Sequence, residues 1–267
     1  MSLYRVEAII LKARNFGEAD KILTLFTREH GKVEAVARGV RKIKSKNRGS
    51  VQPFSRSSIM LYKGKNLDTV TQCDLLEGFP GLRNDLDLLA YAGYLAELTD
   101  LMLPERERNE EIYVLLLTTF HLLAHSRALS ASDSPGSGDI ELIARQFEVR
   151  LLSLTGYQPQ LENCVFCNNA LHEGELRFSP GLGGILCSGC KSNDLQAPLI
   201  GRGTIAIWKY LTKINLRNLN RLRLGAQERA QLEAIIHCYI ENILERRVKT
   251  MDFVKGLKRL TPTDDAG

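Results

Sequence analysis

Cys164-Val165-Phe166-Cys167 and Cys187-Ser188-Gly189-Cys190 form two C-x2-C pairs nineteen residues apart, and no other feature of this 267-residue chain restricts its fold so strongly. Each pair is short enough to turn both thiols the same way, and the interval suits a hairpin that brings the pairs together. Residues 175–179 read as a strand and Gly183-Gly184 as its turn. Four thiolates converging in this way suit one tetrahedral Zn²⁺, about 2.3 Å from each sulfur. With four cysteines no coordination position stays open, so the ion is expected to be structural, pinning a segment too small to bury its own core. Redox-active C-x-x-C dithiols fit less well, because neither pair opens a helix within a βαβ unit. Four cysteines kept without metal is the other competing reading. His172 reads as a surface histidine rather than a substitute ligand, and Cys73 and Cys238, which lack metal-like spacing, read as core thiols.

An apolar run at 8–11 is too short for a signal-peptide core, and the stretch 114–124 falls below the roughly 20 residues that span a bilayer. The expectation is a cytoplasmic protein with no membrane partner, in which cysteines serve as thiols or ligands rather than disulfides. The formal net charge is only +5, but it is unevenly placed. Residues 28–65 carry eleven Lys and Arg against Glu29 and Glu34, a local +9 that leaves −4 for the remainder. Such segregation points to one polyanion-binding face. Its densest part, Arg38, Arg41, Lys42, Lys44, Lys46 and Arg48, places six cations within eleven residues and no acid among them. A segment of this kind binds phosphates without sequence preference; its plainer reading is a solubilising loop.

Residues 1–76 read as five short strands at 2–13, 20–28, 32–38, 57–62 and 67–74, with turns at His30-Gly31 and Lys63-Gly64-Lys65-Asn66. No helical pattern interrupts them, which suits a small closed barrel of the OB type. Residues 39–56 read as a long loop poor in hydrophobics. Phe54, Tyr62, Phe16 and Tyr4 are candidate base-stacking surfaces, although each type is more often found in a core.

Beyond residue 80 the period becomes helical. Asn84 reads as the cap of a helix with Leu86, Leu89, Leu95, Leu98 and Met102 on its apolar side, ended by Pro104. Asn109 and Asp139 cap the next two, separated by a Ser- and Gly-rich connector at 130–138; the second of these ends at Gly156. Further helices are expected near 203–212, 227–247 and 250–260.

Catalytic patterns are few. His121 and His125 share a helix face, but Leu122 stands where a zincin glutamate belongs. No phosphate-binding loop of the G-x-x-x-x-G-K-[ST] type is present, and Asp85 and Asp87 suit a helix first turn better than a nuclease pair.

The chain resembles the bacterial recombination mediator family RecO. The N-terminal likeness runs through Gly17-Glu18-Ala19-Asp20-Lys21-Ile22-Leu23, Leu25-Phe26-Thr27, His30-Gly31-Lys32 and Ala35-Val36-Ala37-Arg38-Gly39-Val40-Arg41. The C-terminal likeness runs through Leu154-Thr155-Gly156-Tyr157-Gln158-Pro159, Cys164 and Cys167, Phe178-Ser179-Pro180 and Gly183-Gly184-Ile185-Leu186-Cys187. The resemblance implies an α+β protein: a five-stranded OB-fold barrel followed by an all-helical domain with an inserted four-cysteine zinc finger. It divides the chain into a DNA-binding barrel at 1–79, helical parts at 80–160 and 194–260, the zinc insertion at 161–193, and a tail at 261–267. It also implies binding to single- and double-stranded DNA and annealing of complementary strands. The implied partners are RecR, the C-terminal tail of single-stranded-DNA-binding protein and, indirectly, RecF and RecA. DNA contact carries over to Arg38 and Arg41; its extension to Lys42, Lys44, Lys46 and Arg48 follows from charge. No catalytic residue is expected. A zinc-dependent nuclease or deaminase, and a zinc-knuckle interaction scaffold, are the readings from other classes.

Overall fold

The computed structural model describes residues 2–42, 49–130, 139–215, 218–219 and 222–260. The chain gathers into two compact units, one of Met1–His125 with Val248–Gly267 and the other of Ser126–Arg247.

In the first unit, β1 (Leu3–Phe16), β2 (Asp20–Thr27), β3 (Gly31–Ala37), β4 (Arg56–Tyr62) and β5 (Asp68–Glu77) close into a barrel in the order β1-β2-β3-β5-β4. All pairings are antiparallel except β3 with β5, the arrangement expected of an OB-fold. Alternate residues supply the interior: Val6, Ala8, Ile10, Leu23, Leu25, Val33, Ala35, Ile59 and Leu61 are all buried in it. Val40 and Val51 belong to the same core, so the stretch read as a hydrophobic-poor loop is anchored at both described ends. Gly31 sits at φ +66, and a Cβ there would lie 2.0 Å from the Glu107 carbonyl oxygen; only glycine fits both restrictions.

The same unit holds α1 (Gly81–Asn84), α2 (Leu86–Met102), most of α3 (Glu110–Ser130), and α7 (Lys249–Leu260). Tyr113 of α3 packs on Phe26 with ring centroids 5.8 Å apart and donates its hydroxyl to Glu7. Glu7 also accepts from Arg56 at 3.0 Å. Burial opposes ionisation of Glu7, but the Arg56 and Tyr113 hydrogen bonds outweigh it and lower the carboxyl below its ordinary range.

The α2 cap is Asp85, not Asn84: its carboxylate accepts from the N–H groups of Asp87 and Leu88, while residues 81–84 form a separate turn. Leu95 and Leu98 are buried as expected, and the departure lies near the start of the helix. Leu88, Ala92 and Leu95 go inward, whereas Leu86 and Leu89, expected inside, are exposed. Asn109 and Asp139 cap as expected, accepting from the N–H groups of Ile112 and Leu142.

The second unit contains α4 (Ile140–Leu154), β6 (Arg177–Ser179), β7 (Gly184–Leu186), α5 (Arg202–Lys213) and α6 (Ala226–Leu244). Its aromatic centre stacks Trp208 on Phe178 at 5.4 Å, with Tyr239 edge-on to Phe178. Arg145 and Glu148 of α4 form an ion pair at 2.8 Å, and His237 of α6 contacts both; all three are buried. Among the described residues no helix is long and apolar enough to cross a membrane.

Candidate functional site

The basic segment leaves the barrel at the end of β3. Strand register defines the face it leaves from. Leu23 pairs with Ala35 and Ala13 pairs with Leu23, and all three turn toward the barrel core. The alternate rows, Lys12–Thr24–Glu34 and Arg14–Ile22–Val36, therefore point outward. Phe16 and Arg38 continue that parity on β1 and just beyond β3. The result is an outward patch of Lys12, Arg14 and Arg38 over a floor of Ile22 and Thr24.

Three hydrogen bonds staple the segment after β3 to the turn between β1 and β2. The Gly39 N–H donates to Asp20 Oδ1 at 2.7 Å, and the Arg41 N–H to the Ala19 carbonyl at 2.9 Å. The Arg41 guanidinium donates to the Gly17 carbonyl at 3.0 Å, and Gly17 takes the left-handed φ of +57 that the turn requires. Arg38, Arg41 and Lys42 are exposed. Glu34, the acid on the face, lies 3.8 Å from Arg14. Among the described residues no acid stands within ion-pair distance of Lys12, Arg38 or Lys42. Lys44, Lys46 and Arg48 lie outside the described residues.

The four aromatic candidates separate. Tyr4 packs edge-on to His30 and hydrogen-bonds the buried Asp68; burial, then Asp68, pushes its phenol up to about 12. Phe54 packs edge-on to Phe120. Both are structural. Tyr62 and Phe16 stay exposed, at 37% and 52%.

His121 and His125 are packed as ordinary helix residues. His121 reaches Glu77 at 3.2 Å and stacks edge-on with Phe79, while His125 Nδ1 bonds the His121 carbonyl. Asp85 is consumed by capping.

In the second unit, Cys164, Cys167, Cys187 and Cys190 bring their four sulfurs within 4.8 Å of one another, a group able to hold a metal ion. The first knuckle closes through the Asn168 N–H on the Cys164 carbonyl, with Asn168 at φ +59, and the second through the Cys190 N–H on the Cys187 carbonyl. The β6–β7 hairpin spans the interval as expected, and the Val165 N–H bonds the Ile185 carbonyl to tie knuckle to hairpin. Cys167 and Cys187 sulfurs stand 3.9 Å apart. Four sulfurs at about 2.3 Å from a common ion would be about 3.8 Å apart, close to the Cys167–Cys187 separation and within about 1 Å of the widest spacing in the group.

Electrostatics agree. Burial resists ionisation of Cys164, but the N–H groups of Cys167, Cys187 and Phe166 directed at its sulfur bring it down to about 6. Cys190 is pushed up to about 12, by desolvation and by the sulfurs of Cys167, Cys187 and Cys164. Four thiols this close ionise together only around a cation. Buried Cys73 is pushed up to about 11 by burial and is a core thiol, whereas Cys238, read as one, is exposed on α6. His172 is exposed, and its carbonyl accepts from Arg202.

A model described as the N terminal of recombination protein O matches residues 1–79, and one described as its C terminal matches residues 83–252. The DNA repair protein RecO of Pelotomaculum thermopropionicum is 42% identical over 254 residues, covering 95% of this chain and 94% of its own length. That of Desulforamulus reducens is 38% identical, covering 96% of each, and that of Symbiobacterium thermophilum 39%, covering 97% and 99%.

Proposed function

The chain belongs to the RecO family of DNA repair proteins, and on that premise we propose that it is a non-catalytic recombination mediator whose barrel holds DNA by its phosphates. The observation that carries this reading is the outward β1–β3 face, where Lys12, Arg14 and Arg38 adjoin a basic segment stapled onto it. Arg38, Arg41 and Lys42 are the assigned contacts, continued by Lys44, Lys46 and Arg48. Lys and Arg there release condensed counterions and offset the repulsion between two strands. Bases stay free to pair, which is what annealing needs, and no proton need be moved by a side chain. In this reading residues 1–79 are the DNA module.

The ion assigned to the four cysteines is Zn²⁺, which supplies a structural cross-link when bound. Cys164, Cys167, Cys187 and Cys190 would hold it, and with every position taken by sulfur none is left for a water nucleophile. The helical parts are the assigned surface for RecR and for the acidic tail of single-stranded-DNA-binding protein. Recruitment by that tail would place the protein on coated nucleoid DNA and help RecA gain access, with RecF acting indirectly.

The test is annealing of complementary strands coated by single-stranded-DNA-binding protein, with and without that protein's C-terminal tail. Faster annealing that depends on the tail and leaves strand length unchanged supports the mediator. Shortened product would replace it with a nuclease, and annealing indifferent to the tail would remove the recruitment step.

A further inference from the structure

We infer that Phe16 is a base-stacking platform, and that it makes the barrel's DNA site prefer unpaired strands over duplex. The inference rests on the reading of the β1–β3 face as the DNA site and adds a contact to the base, where that reading has contacts only to phosphate.

Phe16 ends β1, opposite Asp20 in register, on the outward side that carries Lys12 and Arg14. Its ring is more exposed than any core role would leave it. The carbonyl of the next residue, Gly17, accepts from the Arg41 guanidinium, so the Phe16 backbone adjoins the anchored basic segment. Asp20, the register partner of Phe16, accepts from the Gly39 N–H, while Glu18 of the turn is exposed. Phe16 is an exposed phenyl on the same outward side as Lys12 and Arg14, and a ligand that offers negative charge and a flat apolar face together would match that side. A nucleotide of a single strand offers both: its phosphate meets Arg38, Arg41 or Lys12, and its unstacked base covers the ring. A duplex offers the same phosphates but keeps its base faces inside the stack. The cations therefore serve both forms of DNA, and Phe16 serves one.

Among the barrel's other aromatics, Tyr4 and Phe54 are committed to packing. Tyr62 pairs with Leu3 at the opposite end of β1 from Phe16.

The test uses the full-length protein and three fluorescent ligands of equal phosphate count: a single strand, a duplex, and a single strand of abasic residues. Phe16→Ala should weaken the intact single strand about tenfold and change the duplex and the abasic strand by less than about twofold. Phe16→Tyr should restore single-strand affinity, and Leu3→Ala, a truncation of another exposed apolar residue at the far end of β1, should leave it unchanged. Equal losses on intact and abasic strands, no loss on either, or a matching loss from Leu3→Ala would overturn the stacking assignment. Substituting Arg38 and Arg41 by Ala separates the two levels. If those variants weaken every ligand while Phe16→Ala weakens none, only the platform fails. If they weaken nothing, the face is not the DNA site and the wider reading fails with it.

Discussion

The barrel and the cysteine knuckle hold their shapes by opposite means. The barrel buries a continuous interior fed by alternate residues of every strand, with Leu23, Leu25, Ile59 and Leu61 fully enclosed. Around the knuckle the buried cluster shrinks to Cys164, Leu186 and Ala197, and two of the four thiol-bearing residues are only half-buried. Apolar burial contributes about 25 cal/mol per Å², so the barrel draws its stability from its interior, whereas the small cluster at the knuckle supplies little by burial alone. Charge follows the same division. The β1–β3 face is free to carry cations because the strands beneath it are held by the barrel interior, while the knuckle's thiols would stabilise it only around a bound ion.

The largest effect expected from this contrast is metal removal. A chelator, or Cys187→Ser, should cost the Ser126–Arg247 unit several kcal/mol, because in such sites metal binding is itself folding free energy. Trp208, the single tryptophan, is buried against Phe178 in that unit and reports the change as a red-shifted emission. Elemental analysis of the untreated protein should find one zinc per chain. Emission indifferent to chelation would mean that the knuckle stands without metal, and the contrast would break.

The converse experiment cuts the barrel. Leu25→Ala removes a fully buried side chain and should cost about 2–5 kcal/mol, with zinc content unchanged. Next in size is DNA affinity. Arg38→Ala and Arg41→Ala should each flatten the salt dependence of binding by about one unit, measured as log affinity against log salt, and Arg38→Ala should do so without moving the melting temperature.

The smallest effect is pH-dependent and confined to the second unit. Burial, and then Arg145, lower the His237 pKa, with Glu148 and Glu233 opposing. The unfolded chain therefore takes up a proton near pH 6.5 that the folded protein refuses. Stability should be full above about pH 6.5 and fall as pH drops below it, by a few degrees of melting temperature, and His237→Gln should flatten that dependence. A Trp208-reported transition equally pH-dependent in the variant would assign the effect elsewhere.

Much of this was legible in the chain itself. Period-two alternation predicts the barrel strands because inward residues of a closed sheet must be apolar, and the C-x2-C spacing predicts the thiol cluster because two tight knuckles orient their own ligands. Caps were readable at Asn109 and Asp139, where a side chain meets a nearby N–H. At Asn84 the reading slipped by one residue, since Asn and Asp at 84 and 85 are both competent caps and only the preceding turn decides between them. Exposure of Cys238 was not readable, because α6 presents apolar residues on more than one side.

The outward face shows most plainly where sequence stops. Ala8 and Ile10 point inward, and simple alternation from them would turn Lys12, Arg14 and Phe16 inward too. A bulge between Ile10 and Lys12 inserts one residue, reverses the parity, and sends all three outside while Ala13 goes in. The staple from Arg41 to Gly17 and the grouping of α7 with the barrel unit, where the Thr250 N–H meets Glu97, are long-range in the same sense. Composition and periodicity determined that this chain would have a barrel, helices and a four-thiol knuckle, because each of those arises from local geometry and burial. Which cations share a face with Phe16 was decided only when distant strands chose their register, since that choice depends on partners the local sequence does not contain.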